Sequence, residues 1–167
     1  MSAKPPSSAD VEAVLRQLNA GPALIVSLVA ELEPDIVKRR PRPGVWSAHE
    51  HACHLPDVQP LFRERLETML STPNPVIRSY DPARDDPDDA LLMIDLQQAM
   101  DRFVVEREEM VEQLRHLTLE QWSIEAEHDE YSHYSVFIMY RHLALHDLYH
   151  AYRIEERLLM KDWPSGA

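Results

Sequence analysis

The sequence predicts an all-α protein, a bundle of four long amphipathic helices with an extra short N-terminal helix. Only three of the 167 residues are glycine, and most of the thirteen prolines fall in segments that look like connections. Apolar residues recur three and four positions apart, which is the spacing of a buried helix face, and no long segment alternates as a strand does. The length suits a single domain, residues 1–167, of which 1–8 are expected to be frayed.

Proline and glycine delimit the first two predicted helices. A short helix begins at Asp10 and should stop at Gly21-Pro22. Pro22 can then occupy the first position of a second helix, where no N–H partner is required, and Pro34 ends that helix. The cations of the basic connection that follows, residues 38–44, are expected to be solvated, with an anionic ligand as the alternative.

The third predicted helix begins at a capping box. Ser47 and Glu50 have the S-x-x-E spacing in which each side chain binds a free amide of the first turn. Pro56 and Pro60 lie inside this helix, and each should remove a backbone hydrogen bond and bend it.

Two more long helices follow. The sequence Asp86-Pro87 predicts the start of one, with a cap residue followed by proline at the first position. Ser135 or Ser132 can cap the other. Between the helices, Val76-Ile77 could pair briefly as a strand. The connections are long, so the helix order and handedness of the bundle stay open.

Composition excludes several classes of partner. The formal net charge is −12 and the pI is near 5.1, so a nucleic-acid backbone or an anionic membrane surface would repel the chain. One cysteine excludes an internal disulfide and suits a reducing compartment. The N-terminus lacks the apolar core of a signal peptide, and the longest apolar stretch, Ala23 to Ala30, is too short to span a membrane. We therefore expect a soluble, cytoplasmic protein.

Two histidines interrupt the apolar stripe of the last helix. The stripe consists of Met139, Leu143, His146, His150 and Ile154. Four residues make about one turn, so His146 and His150 project side by side, and each buried imidazole needs partners for two ring nitrogens. His54 lies on or beside a core face of an earlier helix. Three such imidazoles suit Zn²⁺ or Ni²⁺ and leave a coordination position open, whereas three separate core histidines bonded to carbonyls are the alternative.

Two other patterns of acidic residues and histidines are weaker signals. The segment from His146 to His150 is close to the H-E-x-x-H of metallopeptidases, but Asp147 is one methylene shorter than the glutamate base. Glu125–His128 and Glu130–His133 match the Glu-x-x-His spacing of di-iron proteins, yet both lie in one predicted loop rather than on separate helices. A solvated acidic loop explains them better.

The cysteine and the other histidines are weaker candidates for metal ligands. Cys53 precedes His54 by one residue and points about 100° away around the helix, which favours a small buried residue over a ligand or nucleophile. His142 lies one turn before His146 and could be a fourth ligand or an outer-shell group. Surface positions are expected for His49, His51 and His116.

Four arginines flank the candidate ligands in the sequence. They are Arg63, Arg65, Arg141 and Arg153. Surface pairing with acidic residues is the simpler expectation. The alternative is that some of them line a pocket and bind the carboxylates of a peptide-like thiol.

Two segments together resemble the signatures of one family. Trp46 to Leu55, with the sequence WSAHEHACHL, matches W-S-x-x-E-x-x-x-H-L, and His146 to His150 matches H-D-x-x-H. In this order and separation they are similar to the signatures of the DinB/YfiT-like superfamily, over roughly residues 22–160. Pro56 and Pro60 depart from the family's pattern, as does the absence of the usual glycine before the last helix.

The resemblance implies a DinB-like four-helix bundle with the helix order of that family. It also implies a divalent metal ion, Zn²⁺ or Ni²⁺, bound by His54, His146 and His150. Characterised relatives include S-transferases and isomerases that use bacillithiol, mycothiol or glutathione. Many other members are known only as predicted metal-dependent hydrolases.

Residues and resemblance together predict metal-dependent chemistry on a small molecule. Transfer of a low-molecular-weight thiol and metal-assisted hydrolysis are the two candidate reactions, and no residue is identified as the general base. A non-catalytic bundle that binds metal or a small ligand is the alternative. A homodimer is a further expectation, whereas nucleic-acid and membrane partners are not expected.

Overall fold

Four long helices form the bundle that the sequence predicts, in a computed structural model that describes residues 5–80 and 89–163. They are α1 (Ser8–Ala30), α2 (Ala48–Ser71), α3 (Leu96–Arg115) and α5 (Val136–Leu158). The connections contain a 3₁₀ helix (Ala90–Met93), the one-turn helix α4 (Leu119–Trp122) and the strands β1 (Val76–Ile77) and β2 (Glu127–His128). The all-α fold class is confirmed.

Each long helix packs mainly against two of the others. α1 and α2 each lie against both α3 and α5. Their apolar faces form two clusters of buried side chains, the larger of which contains residues from all four long helices. β1 and β2 pair in parallel, with Val76 opposite Glu127, so the expected strand is present. Because Ile77 belongs to the larger cluster, this pair fastens the two long connections onto the bundle.

The predicted caps at Ser47 and Ser135 are confirmed. The backbone N–H of Ser47 donates to the Glu50 carboxylate over 2.8 Å, which completes the capping box of α2. Ser135 caps α5. The start predicted at Asp86-Pro87 lies outside the described residues, and α3 begins instead after Asp95, whose carboxylate caps it.

The predicted break at Gly21-Pro22 is wrong, because α1 continues through both residues. A proline inside a helix leaves the carbonyl four residues earlier without its usual N–H partner. That carbonyl belongs to Leu18, and Nη1 of the buried Arg107 on α3 donates to it over 3.2 Å. The predicted short N-terminal helix is therefore the first half of α1. α2 is likewise continuous through its two internal prolines.

Arg107 contacts all three of the other long helices. Its Nε donates to Gln59 Oε1 on α2 over 2.9 Å, and its two terminal nitrogens donate to both carboxylate oxygens of Asp147 on α5. The side chains of Arg107 and Asp147 are each 1% exposed. Gly21 on α1 packs directly against this pair, since a Cβ atom there would lie 2.6 Å from Asp147 Oδ2. The close approach of α1 to α5 therefore requires glycine at this position.

α1 is long and apolar enough, by length and composition alone, to cross a membrane, with a mean hydropathy of 1.4. The predicted break at Gly21-Pro22 divides this helix in two, which is why only Ala23–Ala30 stood out as its apolar stretch. One such helix is weak evidence, since the core helix of a soluble protein passes the same test. In this bundle α1 buries Leu18 and Ile25 completely.

Replacing Gly21 with alanine should destabilise the fold, although this change inside a helix usually stabilises by about 1 kcal/mol. The new Cβ would press on Asp147 Oδ2, which Arg107 holds in place. We expect the free energy of unfolding, measured by urea denaturation, to fall by about 1–3 kcal/mol. The exposed substitution Ser27→Ala on the same helix is the control. An equal gain in both variants would contradict the close contact.

Candidate metal centre

Three imidazoles converge between α2 and α5. Nε2 of His146 lies 3.2 Å from Nε2 of His54 and 3.0 Å from Nε2 of His150. The three candidate ligand atoms all lie within 4.8 Å of one another, and His54 and His150 are buried. The structure thus brings together the three histidines that the sequence analysis singled out.

The helices and one indole ring position these imidazoles. His146 and His150 are one turn apart on α5, so their ring centroids are 4.3 Å apart. The indole of Trp46, just before α2, covers the group with its centroid 5.1 Å from that of His54. Arg157 holds this segment by donating to the Trp46 carbonyl over 3.3 Å. The W-S signature therefore supplies a wall of the site as well as the cap of α2.

His51 contacts the group directly, although the sequence analysis placed it at the surface. That prediction is wrong, because His51 is 5% exposed and its Nδ1 lies 2.9 Å from Nδ1 of His150. If Nε2 of His150 is a ligand, its Nδ1 carries the proton and donates to His51. His51 is therefore placed to fix both the tautomer and the orientation of the His150 ring.

His49 was also predicted at the surface and is buried. Its Nε2 lies 3.0 Å from the carbonyl oxygen of Leu91, so it attaches the 3₁₀ helix to α2. His116 is exposed as predicted. An amphipathic helix has one exposed face, whereas residues 48–56 of α2 are buried on every side. Because this segment has no exposed polar face, the sequence pattern could not distinguish the two buried histidines from surface residues.

Burial makes the clustered imidazoles difficult to protonate. It lowers the pKa of His146 and of His51 from the ordinary value of 6.5 to about 3, with His54 as the next cause for His146 and Arg157 as the next cause for His51. Burial also lowers the pKa of His150, with His146 as the next cause. The neutral imidazole, which these environments favour, is the form that binds a metal ion.

The donor set fits a divalent ion. Nitrogen atoms bound at about 2.0–2.1 Å to a tetrahedral ion lie roughly 3.3 Å from one another. The two shortest distances between Nε2 atoms here are 3.0 and 3.2 Å. Three neutral rings whose Nε2 atoms face one another cannot satisfy all of them by hydrogen bonds alone, whereas a shared cation can accept all three lone pairs. Imidazole ligands favour Zn²⁺ or Ni²⁺ over Ca²⁺ or Mg²⁺.

The other candidate groups do not join the three rings. Asp147 is committed to Arg107, so it cannot act as the base of a metallopeptidase. Burial raises the pKa of the Cys53 thiol to about 12, in keeping with the predicted small buried residue. The convergent group contains no glutamate, and Glu125–His128 and Glu130–His133 lie in the connection around β2.

A cavity of about 140 Å³ opens onto the site. His54 and His146 form part of its lining, and the connections between helices form the opposite wall. Tyr131 and Tyr134 stack there, with ring planes 7° apart and centroids separated by 6.2 Å. His142 also lines the cavity but lies outside the convergent group. A small molecule in this cavity would touch two of the three candidate ligands.

One of the four flanking arginines reaches the cavity. Arg65 is among its lining residues, and its Nη2 donates to the carbonyl of Arg78 over 2.5 Å. Arg63 and Arg153 reach glutamates at 3.7 and 2.7 Å, as surface residues were expected to do. Arg141 lies over an aromatic ring of α5, 5.4 Å from its centroid.

The cations of the basic connection bind the protein itself. Arg40 pairs with Glu50 of the capping box and with Asp89, the latter at 2.6 Å. Lys38 Nζ donates to the carbonyl of Leu92 over 2.7 Å. These contacts attach the connection to the bundle, and no anionic ligand is needed to explain them. Lys38 is exposed, as expected, whereas the expected solvation of Arg40 is wrong because its guanidinium is partly buried against Glu50.

Metal-free protein should stay helical and lose stability as the pH falls below about 6.5. The unfolded chain takes up protons on imidazoles whose folded pKa is depressed, so acid favours unfolding until the pH approaches about 3. Each buried ring contributes a slope of about 1.4 kcal/mol per pH unit. Urea denaturation of chelator-treated protein from pH 7.5 to 5 measures this slope. His116→Gln, at an exposed position, should leave it unchanged, and a flat profile would contradict the burial of neutral rings.

Comparison with known proteins identifies the family. The family model of the DinB superfamily matches residues 17–154. The structure is similar to that of YfiT from Bacillus subtilis, with a TM-score of 0.80 and 20% identity over 93% of this chain and 91% of that one. YfiT is described as a "probable metal-dependent hydrolase with an unusual four-helix bundle topology". Among curated proteins, none has a sequence that matches this chain. Since the family model covers most of its length, the chain belongs to the DinB superfamily.

Proposed function

We propose that the protein is a metal-dependent enzyme that acts on a small molecule, with His54, His146 and His150 as ligands of Zn²⁺ or Ni²⁺. The observation that carries this proposal is the convergence of three imidazoles, two of which, His54 and His146, line a cavity. A divalent ion on three imidazoles keeps an open position at which it can activate a water or thiol or polarise a substrate.

The cavity supports an anionic group on the substrate. Arg65 is the only arginine or lysine among the described residues that line it, and Glu130 is the only acidic one. The guanidinium is held by the carbonyl of Arg78, and it also bonds to the Tyr134 side chain. A fixed guanidinium can bind a carboxylate through charge-assisted hydrogen bonds. Arg65 would therefore bind the anionic group of the substrate. The reacting end of the substrate would then lie beside His54 and His146.

Two reactions agree with this arrangement. Transfer of a low-molecular-weight thiol is supported by the cation, because bacillithiol, mycothiol and glutathione type cosubstrates are polar and most carry carboxylates. Hydrolysis is supported by the likeness to YfiT, which is described as a probable hydrolase. A bundle that only binds metal or a small ligand remains the rival proposal. A cytoplasmic location and a homodimer also remain predictions.

Elemental analysis of protein purified without added metal, followed by turnover assays, tests the proposal. The assays combine each thiol with an electrophilic acceptor and include ester, amide and lactone substrates for hydrolysis. An enzyme gives product that depends on the metal, whereas a binding module gives saturable binding without product. Protein that takes up no divalent ion would contradict the proposal altogether.

Replacing any one of His54, His146 and His150 by alanine should reduce metal affinity at least about tenfold, since each supplies one of three ligands. His142→Ala and His128→Ala are matched controls, because both residues line the cavity but lie outside the convergent group. Metal content after dialysis, measured by mass spectrometry, distinguishes the two sets. Equal loss in ligand and control variants would contradict the assignment.

Replacing Arg65 by alanine should raise the KM or Kd for the anionic substrate about ten- to a hundredfold, the effect of losing one charge-assisted contact. Metal content should be unchanged, because Arg65 lies outside the convergent group. Arg63→Ala is the matched control, since Arg63 is nearby on α2 but pairs with Glu109 outside the cavity. Equal effects of the two substitutions would exclude a substrate contact for Arg65.

A further inference from the structure

His128 contributes a nearly buried imidazole to the wall of the cavity. It lies in β2 opposite Ile77, a core residue, so the pairing of β2 with β1 fixes its backbone. Its side chain is 2% exposed, and its ring centroid lies 4.7 Å from that of Tyr131 and 4.5 Å from that of Tyr134. The imidazole is therefore held in a defined place beside the candidate metal centre.

A backbone contact determines which ring nitrogen of His128 carries the proton. The N–H of Glu130 donates to Nδ1 over 3.1 Å, so Nδ1 must present a lone pair. Burial lowers the pKa of His128, and the charge of Asp129, the next cause, opposes this effect. The ring is therefore neutral at pH 7 and carries a single proton. That proton lies on Nε2, on the edge of the ring away from the Glu130 N–H.

The protein itself does not use this Nε2 donor within the part of the chain that the structure describes. No described residue accepts a hydrogen bond from Nε2. Asp129 is close, but its Oδ1 lies 3.3 Å from Nδ1 rather than beside Nε2. The two Asp129 oxygens accept from Ser79, from its N–H over 2.8 Å and from its Oγ over 3.2 Å. A donor of this kind in a cavity wall can be satisfied by a molecule in the cavity.

Arg65 lies close to this donor. Its guanidinium bonds to the side chain of Tyr134, and the ring of Tyr134 packs against His128. The charge of Arg65 also contributes to the lowered pKa of His128, after burial and the opposing charge of Asp129. Because both residues line the same cavity, one small ligand can contact both.

We propose that His128 donates from Nε2 to the carboxylate that Arg65 binds, so that the two residues together select an anionic substrate. This inference rests on the proposed function, because it adds a second donor to the anion site assigned there to Arg65. One carboxylate oxygen would accept from the guanidinium and the other from the imidazole, which fixes the orientation of the group. Glu130 also lines the cavity, but it is exposed, so water screens its charge.

Nuclear magnetic resonance of the wild-type protein tests the donor directly. Two-bond ¹H–¹⁵N correlation spectra distinguish the tautomers of His128, and we expect the form protonated on Nε2. Benzoate is the probe, because it joins a carboxylate to a flat ring that suits the aromatic residues Phe62, Tyr131 and Tyr134 of the lining. Its binding should be saturable and should move the Nε2 proton downfield. A neutral ring protonated on Nδ1, or benzoate that does not bind, would overturn the proposal.

Two substitutions separate the hydrogen bond from the packing of the ring. His128→Phe keeps a ring against the tyrosines and removes the donor, so it should raise the Kd for benzoate about tenfold or more, the effect of losing a hydrogen bond to a charged group. His128→Gln, whose amide nitrogen can take the place of Nε2, should stay within about threefold of wild type. His142→Phe is the matched control, because His142 lines the cavity and has no assigned contact with the anion. Melting curves from circular dichroism establish that each variant is folded.

The further results distinguish a failure of this inference from a failure of the proposed function. Equal Kd values for wild type and His128→Phe, in protein that binds metal and turns over substrate, would overturn the inference alone. Benzoate binding that falls in His54→Ala and not in His128→Phe would also overturn it, since the carboxylate would then be at the metal. Benzoate binding that depends on both His128 and Arg65, in protein that takes up no divalent ion, would support the inference and contradict the proposed function.

Discussion

The arrangement of the bundle depends on one buried guanidinium. Arg107 on α3 donates to Leu18 on α1, to Gln59 on α2 and to Asp147 on α5. A buried charge is strongly destabilising unless it is paired and fully hydrogen-bonded, so these partners must all be in place at once. The four helices can therefore satisfy Arg107 only in one mutual register, with Gly21 admitting Asp147 close to α1.

This constraint explains why the residues of the H-D-x-x-H signature, His146 to His150, have different roles. Successive residues on a helix point about 100° apart, so Asp147 and His146 project in different directions. Asp147 points into the core, where Arg107 holds it, and this fixes the rotation of α5 about its axis. With that rotation fixed, His146 and His150 face His54 on α2. The aspartate serves the fold that positions the site, and it is the histidines that are available for chemistry.

Local sequence predicts the features whose causes are local. The capping box at Ser47, the cap at Ser135 and the two adjacent imidazoles on α5 follow from spacing alone. The continuity of α1 does not, because the donor that replaces the missing bond at Pro22 comes from Arg107, 85 residues later in the chain. The burial of His51 was not predicted for the same reason, since its partner His150 lies 99 residues away in the chain. The meeting of His54 with the other two histidines required the family resemblance, because spacing within one helix carries no information about another.

The rotation of α5 fixes its outer surface as well as its inner one. Once Asp147 is held in the core, the opposite side of the helix must face away from the bundle, and that side carries Leu148 and Tyr152. The candidate metal ligands lie on the other side of the same helix, about 160° around it from Leu148. Contacts made on this exposed face therefore do not obstruct the cavity that His146 lines.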